Sequence, residues 1–511
     1  MGELLEGMEL LHLSGDPGVE VEGLEYDSRR VRMGSLFVAL RGQHQDGHDF
    51  IREAIQRGAV AVVAEAAWGG KESKRDVAMV QVKDSREALS WIAVRFYNRP
   101  FQDMKLIGIT GTNGKTTTSY ILESILLASG ARPGVIGTIN YRLGGESWDA
   151  PVTTPESLDL MRILRRMADL GATHVVMEVS SHALDQGRVR DCPFRVGVFT
   201  NISRDHLDYH QSMESYFGAK ALLFRSLGDK GNMDLARGVI NADDPKGGEL
   251  IKQTQVPVVT YGMGMDCDFK AIQVQGGMGG LSARLITPSG ETDIRSPLVG
   301  EFNIYNILAA SAAASCLGID LSAIGSGVAL LEKVPGRLEL VENSRSLSIV
   351  VDYAHTPDAL LKALKALRPL AKGRLITVFG CGGDRDKGKR SQMGLVAGEN
   401  SDLVFITSDN PRTEDPAAIA KEIEEGVRGA GLEILTGDPG SGLGGPGYHL
   451  DLDRRNAIRK AIGAANEGDL ILIAGKGHED YQIIGTEKRP FDDRRIAAEV
   501  VLERGSGGLV G

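Results

Sequence analysis

Cysteine is scarce: Cys192, Cys267, Cys316 and Cys381 are the only four among 511 residues, far apart and without a CxxC pair. That spacing excludes a disulfide scaffold and a zinc ribbon and suits a reducing compartment, so a cytoplasmic location is expected. Long apolar runs are missing as well. The most apolar helical stretch, Ile307 to Leu317, is rich in alanine and serine and too short to cross a bilayer. The start, Met1-Gly2-Glu3, lacks the basic-then-apolar order of a signal peptide, and no membrane insertion is expected. Nor is there an excess of positive charge. The 58 Lys and Arg against 68 Asp and Glu leave a net −10, which argues against general nucleic-acid binding. What abounds is glycine, 65 residues without a collagen period, which points to tight turns and close backbone approaches. With 42% hydrophobic residues the chain is ordinary globular material rather than disordered, and at roughly 100–200 residues per domain its length predicts about three domains. The patterning offers no interface signal, so a monomer is the default.

The expected organisation is α/β throughout, in three units: 1–100, 101–334 and 335–511. In the first, short apolar runs (Ser35 to Leu40, Ala59 to Val63, Val77 to Val82) precede a helix from Ser85 to Tyr97, ended by Asn98-Arg99-Pro100. The second opens as strand Lys105 to Thr110, glycine loop, then helix Lys115 to Ala128 closed by Gly130. Strands at His174 to Val179, Val196 to Thr200, Gly238 to Asn241 and Val256 to Tyr261 alternate with helices at Ser157 to Leu170 and Met213 to Leu227. This alternation implies a parallel sheet covered on both faces. Phe269 to Pro297 reads as an antiparallel insert and Glu301 to Leu317 as a long helix. The third unit carries strands at Ser348 to Asp352, Leu375 to Phe379, Leu403 to Thr407 and Leu470 to Ala474, a Gly/Pro-rich loop from Gly437 to Gly447, a last helix from Asp492 to about Arg504, and a frayed tail from Gly505 to Gly511.

The sharpest chemical signal is Gly111-Thr112-Asn113-Gly114-Lys115-Thr116-Thr117 between strand and helix. Backbone amides and the helix dipole in such a loop cradle phosphates; Lys115 would neutralise the β/γ oxygens and the Thr116 hydroxyl would ligate Mg²⁺. The usual GxxxxGK[ST] pattern is one place out of register, because position 109 is Ile109 and the glycine is Gly108. Glu178, at the carboxyl end of a strand in Met177-Glu178-Val179-Ser180-Ser181-His182, could reach a metal beside this loop. It reads equally well as part of a surface loop with an N-cap serine. His206 and His210 stand at i and i+4, but with Leu-Asp-Tyr between them they read as a polar turn rather than a zinc pair. Lys220, in an apolar helix, reads by itself as a snorkelling lysine.

Taken together, GTNGKTT at 111–117, EVSSHAL at 178–184, Asn201 to His210, AK at 219–220, GEFNIYN at 300–306, GRLE at 336–339 and DYAHTP at 352–357 resemble the Mur ligase family of ATP-dependent peptide-bond-forming enzymes, in order and across essentially the whole chain. The resemblance implies an N-terminal domain for a UDP-linked substrate, a central P-loop ATPase-like domain and a Rossmann-like C-terminal domain for the amino acid. It also implies ATP, two Mg²⁺ ions and a carbamylated Lys220, with Thr116, Glu178, His206 and Lys220 as metal ligands and Lys115, Lys220, His206 and Glu178 as the catalytic set. Asn303 and Asn306 would contact adenine, Arg337 the phosphates, and Asp352 and His355 the ribose region.

Within the family, Ser408-Asp409-Asn410-Pro411-Arg412-Thr413-Glu414 resembles the signature of members that add meso-diaminopimelate. Arginine's planar fork suits that amino acid's extra carboxylate, so Arg412 assisted by Arg390 would bind carboxylates, and Glu479, beside Gly475, would hold an ammonium. Without the family pattern, this segment is a strand-to-helix turn capped by Asp415 or Thr413. The resemblance further places Ser28, Gln43, His44 and Gln45 on the uridine diphosphate, and Thr153, Thr154, Ser180, Gln186 and Arg188 on the muramoyl-dipeptide. The expected reaction joins meso-diaminopimelate to UDP-N-acetylmuramoyl-L-alanyl-D-glutamate through an acyl phosphate, with closure on hinges near residues 100 and 335. A lysine-adding relative, a folylpolyglutamate-synthase-like ligase and a P-loop regulatory ATPase are the other readings.

Overall fold

A computed structural model describes residues 1–42, 45–65, 77–231, 233–264, 266–343, 347–436 and 445–506. Three α/β units follow one another, each built on its own sheet. The first sheet has five strands, in the order His12–Ser14, Ala78–Gln81, Ala59–Ala64, Ser35–Val38 and Gly23–Glu25, parallel except for His12–Ser14 at the edge.

The central sheet has eleven strands. Its middle runs in the order Phe269–Gly277, Val258–Gly262, Arg237–Asn241, Phe194–Phe199, Lys105–Thr110, His174–Glu178 and Pro133–Ile136, all parallel. Antiparallel strands extend both edges: Gly280–Thr287 and Gly290–Ser296 at one, Asn140–Leu143 and Glu146–Asp149 at the other. The antiparallel insert expected from Phe269 onward is therefore present. Parallel strands buried on both faces need unbroken apolar runs, and Leu106 to Thr110 and His174 to Glu178 are buried without a gap. The helices Lys115–Ala128, Asn303–Cys316 and Leu321–Leu330 pack an apolar core on one face. On the other, Ser157–Asp169 and Met213–Arg225 share a core that continues into the N-terminal unit.

The third sheet has six strands, in the order Glu339–Leu340, Ser348–Asp352, Leu470–Ala474, Leu375–Phe379, Leu403–Ile406 and Gly447–Leu450, all parallel but the first. A hairpin, Tyr481–Ile484 with Glu487–Pro490, stands apart from it. Two expectations change here. Gly447 opens a strand rather than ending a loop, and the last helix runs from Asp493 through Ser506, so Gly505 lies within it. The rest of the Gly437 to Gly447 loop, apart from Gly445 and Pro446, and the tail beyond Ser506 lie outside the described residues.

Candidate functional site

The loop after strand Lys105–Thr110 holds its shape through glycine and through a neighbouring strand end. Gly111 has φ 147° and Gly114 φ 87°. A Cβ on Gly111 would fall 1.9 Å from the Thr200 hydroxyl, which only glycine avoids. The segment after strand Phe194–Phe199 braces the loop: the Asn201 carbonyl accepts from the Thr112 amide at 2.8 Å, the Asn201 side chain accepts from the Asn113 amide at 3.0 Å, and Thr200 donates to the Asn113 carbonyl at 2.7 Å. Lys115 bends back and donates to the carbonyls of Gly111 and Thr112, each at 2.9 Å. Burial lowers the pKa of its ammonium, and Glu178 opposes that shift.

Glu178 ends the strand beside this loop, opposite Ile109 in the ladder. Its carboxylate accepts from the Thr116 hydroxyl at 2.9 Å, the Thr138 hydroxyl at 2.9 Å and the Thr138 amide at 3.0 Å. Thr138 bears on a second group as well, since its hydroxyl lies 3.1 Å from that of Thr153. Thr154 donates to the Glu178 carbonyl at 2.8 Å and accepts from the Ser180 amide at 3.0 Å. Arg188 donates to the Thr154 carbonyl and to Gln186. Thr153, Thr154, Ser180, Gln186 and Arg188 therefore come together beside Glu178.

Lys220 is buried and donates to the Gly111 carbonyl at 2.9 Å, with its Nζ 4.3 Å from the centre of the Tyr216 ring. It does not snorkel. Burial pushes its pKa well below the ordinary lysine value, and the charge of Lys115 adds to the shift. His206 has a left-handed backbone, φ 52°, and meets His182 edge to face at 4.9 Å. Its side chain is 45% exposed, yet desolvation by the groups around its ring lowers its pKa to about 4 despite Asp205 nearby. Among the described residues no group of three or more His, Cys, Asp or Glu could hold a metal. Thr116 and Glu178 nevertheless offer the oxygen donors that suit Mg²⁺, an ion that keeps waters and takes one or two carboxylates plus phosphate oxygens. Lys220 as a free amine is not such a donor.

The C-terminal unit completes a cavity of about 610 Å³ over the loop. Arg337 donates to the Thr116 hydroxyl at 3.1 Å and lies 4.5 Å over the Tyr353 ring. Asp358 accepts from the Asn113 side chain at 2.9 Å and from Ser203 at 2.8 Å. Asp352, its pKa raised by burial, accepts from the amides of Leu338 and Ala354. His355 bonds through Nδ1 to the Tyr353 carbonyl at 2.8 Å, and burial lowers its pKa. Thr112, Asn113, Gly114, Thr116, Thr117, Asn306, Arg337, Asp352 and His355 all line this cavity. Asn303 does not, because its side chain is used on the Val299 carbonyl and on Asn306.

A larger cavity of about 760 Å³ adjoins the first, and Asp205, His206, Tyr353 and His355 line both. Asp409, Asn410, Arg412, Gly475 and Glu479 line its far wall, with Pro411 buried behind them. Arg412 also has a left-handed backbone, φ 50°, and donates from Nη1 to the Gly383 carbonyl at 2.7 Å. Glu479 accepts from Asn410 at 2.9 Å and from Lys476 at 3.0 Å. The expected role of Arg390 needs correction. It is fully buried and its guanidinium is taken up by Glu414, at 2.8 and 3.0 Å, and by Glu422 at 3.2 Å. The exposed guanidinium of the same loop that lines the cavity is Arg385. Sequence reasoning missed Arg385, Thr138 and Asp358; the only local cue was the charge-dense run Asp384-Arg385-Asp386-Lys387.

Ser28 and Gln45 lie in the N-terminal unit and line neither cavity. Ser28 is buried and donates to Glu53 at 3.2 Å, and the Gln45 carbonyl accepts from the Gly42 amide at 2.9 Å. Gln43 and His44 fall outside the described residues. The N-terminal unit meets the central one near Arg188, where Tyr26 donates to Asp159 at 2.6 Å and Glu156 pairs with Arg86 at 2.8 Å and Arg188 at 3.7 Å.

A glycine-cradled lysine and threonine, a strand-end carboxylate and a second α/β unit closing over both define a P-loop α/β protein with two adjoining cavities. The chain belongs to the Mur ligase family. Its residues 20–97 match the description "Mur ligase family, catalytic domain", 109–314 "Mur ligase middle domain" and 336–477 "Mur ligase, glutamate ligase domain". It is 50% identical over 501 residues to the UDP-N-acetylmuramoyl-L-alanyl-D-glutamate–2,6-diaminopimelate ligase of Geobacter metallireducens, covering 97% of this chain and 96% of that one. Against the protein of the same name from Geobacillus kaustophilus, identity is 48% over 497 residues, with 97% of each covered. A solved structure of a ligase with that name superposes with a TM-score of 0.66 at 34% identity, over 95% of both chains. The MurF ligase of Thermotoga maritima, solved with ADP, shares the fold at 21% identity, with a TM-score of 0.60 over 95% of this chain and 96% of that one.

Proposed function

We propose that the protein is the ATP-dependent ligase that adds meso-2,6-diaminopimelate to UDP-N-acetylmuramoyl-L-alanyl-D-glutamate in peptidoglycan precursor synthesis. The observation that carries this reading is near-50% identity, end to end, to ligases of that name. The two adjoining cavities support it, because the reaction has two halves. The smaller one suits ATP; the larger, with both charge signs on its wall, suits a zwitterionic amino acid.

A carboxylate is a poor electrophile, so the D-glutamate γ-carboxylate first takes the γ-phosphoryl group of ATP. The resulting acyl phosphate is attacked by the amine and phosphate leaves, with one proton lost from the nitrogen. Lys115 and Arg337 would hold the phosphate oxygens, a positioning and electrostatic task. Thr116 and Glu178 would hold Mg²⁺, which when bound neutralises charge on the transferring group. Burial, which lowers the Lys220 pKa well below the ordinary lysine value, favours the neutral amine that can attack CO₂ with loss of a proton, and the resulting carbamate would turn the lysine into an oxygen donor that His206 could join. Asp352 and His355 would meet the ribose and Asn306 the adenine, with Asn303 bracing Asn306.

Units 1–100, 101–334 and 335–511 would serve the UDP-sugar, ATP and the amino acid. Ser28, Gln43, His44 and Gln45 would contact the uridine diphosphate, and Thr153, Thr154, Ser180, Gln186 and Arg188 the dipeptide. Arg412 and Arg385 would bind the carboxylates of diaminopimelate, with Asp409, Asn410, Gly475 and Glu479 around the ammonium. The wall shared by the two cavities lets an acyl phosphate meet its amine away from water. The soluble nucleotide substrates fit a cytoplasmic enzyme, and a monomer suffices to form both cavities.

The deciding assay is phosphate release with the UDP-dipeptide and ATP, comparing meso-diaminopimelate with L-lysine. Release driven by diaminopimelate, with a tripeptide product by mass, is expected. Release driven by lysine would keep the ligase and overturn the amino acid; release indifferent to both would overturn the ligase.

A further inference from the structure

Behind the larger cavity lies an ion pair that the reaction itself does not touch. Arg454, the first residue of helix Arg454–Ala464, and Asp493, at the start of the last helix, are both fully buried. The pair is bidentate, Nε to Oδ1 at 2.8 Å and Nη2 to Oδ2 at 2.7 Å. The same guanidinium also reaches two backbone carbonyls: Nη2 donates to Ala474 at 2.9 Å and Nη1 to Ser408 at 3.4 Å. Each of these carbonyls immediately precedes a residue on the cavity wall, Gly475 in one case and Asp409 in the other.

The two strands concerned, Leu470–Ala474 and Leu403–Ile406, do not pair with each other, because Leu375–Phe379 lies between them. Their spacing is set only through that intervening strand, and among the described residues no ladder hydrogen bond directly joins the two loops that follow them. The loops are nonetheless close. Gly475 has φ 112°, and a Cβ on it would fall 2.6 Å from the Asp409 carboxylate. Lys476, itself fully buried, also ties the two loops through Asn410 at 3.2 Å and Glu479 at 3.0 Å. A planar fork with five donors can hold a carboxylate and two divergent carbonyls at once; an ammonium, a point charge, cannot span them.

We infer that Arg454, held by Asp493, is a positioning residue for the amino acid: it sets the spacing between the loop carrying Asp409, Asn410 and Arg412 and the loop carrying Gly475 and Glu479. The inference rests on the proposed use of the larger cavity for the amino acid. It predicts a selective effect, since neither residue borders the smaller cavity.

Three variants of the full chain decide the matter in steady-state kinetics, with thermal melting to verify folding. Arg454→Lys keeps the charge and loses the span; Arg454→Met with Asp493→Leu removes both charges and keeps apolar volume; Arg412→Ala is the control on the cavity wall. The expected result is a KM for diaminopimelate raised about tenfold or more in both Arg454 variants, with KM for ATP and for the UDP-dipeptide within about twofold of the parent. Folded Arg454 variants with the parent KM for diaminopimelate would overturn the positioning role, while an Arg412→Ala protein with an unchanged KM would overturn the cavity assignment itself. If neither Arg454 variant folds, the pair serves the fold and the inference is wrong.

Discussion

Replacing Arg412 by glycine separates what that residue does for stability from what it does for substrate. A non-glycine residue at φ 50° costs about 1–2 kcal/mol, which glycine recovers. Against this, the variant loses the Nη1 bond to the Gly383 carbonyl, worth about 1 kcal/mol, and gains unfolded-state freedom worth about 0.5–1 kcal/mol. The backbone bonds to Ile483 and from Gly485 need no side chain and survive. The three terms cancel to within about 1 kcal/mol, a shift in melting temperature of a few degrees at most. Binding behaves differently. Each charge-assisted bond to a carboxylate is worth about 1.5–3 kcal/mol, so loss of a paired contact costs about 3 kcal/mol or more, on the order of 100-fold in kcat/KM for diaminopimelate. Phosphate release measured at several diaminopimelate concentrations, beside calorimetric melting, tests both halves. A folded Arg412→Gly enzyme with kcat/KM within threefold of the parent would refute the reasoning.

Two further outcomes are expected. If Lys220 is carbamylated, the parent enzyme loses activity in CO₂-depleted buffer and regains it with bicarbonate, whereas Lys220→Ala is about 10²-fold or more slower and indifferent to bicarbonate in the same assay. His174 is buried, its Nε2 has no hydrogen-bond partner, and burial, aided by the charge of Lys105, lowers its pKa to about 4. Unfolded histidine titrates near 6.5. The unfolded chain therefore takes up a proton between about pH 6.5 and 4 that the folded protein refuses, and stability drains away as pH falls through that window, by about 3 kcal/mol for this one group. Denaturant titrations at pH 7 and pH 4.5 should show a smaller drop for His174→Gln; an unchanged drop would count against this assignment.

The central nucleotide-loop unit was the most legible part of the chain, because punctuation and chemistry coincide there. Strand Lys105–Thr110 and helix Lys115–Ala128 have the ends expected of them, with Gly114 and Gly130 marking the turns. The elements missed are mostly short: Pro133–Ile136, Asn140–Leu143, Glu146–Asp149 and Gly447–Leu450 are four-residue strands whose identity comes from the strands they pair with. Helix Leu321–Leu330, with two glycines and two serines, has little local propensity and is held by packing against Lys115–Ala128.

The site divides in the same way. Lys115, Thr116 and Glu178 could be read from loop chemistry and strand ends. Asp358 could not, because its partners Asn113 and Ser203 are 245 and 155 positions away. Arg385 and Arg390 are indistinguishable by residue type. Only the fold shows that one faces the cavity while Glu414 and Glu422 enclose the other.

The contacts of Arg337 with Thr116 and of Asp358 with Asn113 fasten the C-terminal unit to the glycine-rich loop and to the first turn of the helix that follows it. A molecule seated in the smaller cavity is thus roofed by the same unit that carries the far wall of the larger one. On the proposed assignment, any opening of that unit to release nucleotide would carry Arg412 and Glu479 with it. One unit would then govern access to both chambers, coupling the emptying of one to the opening of the other.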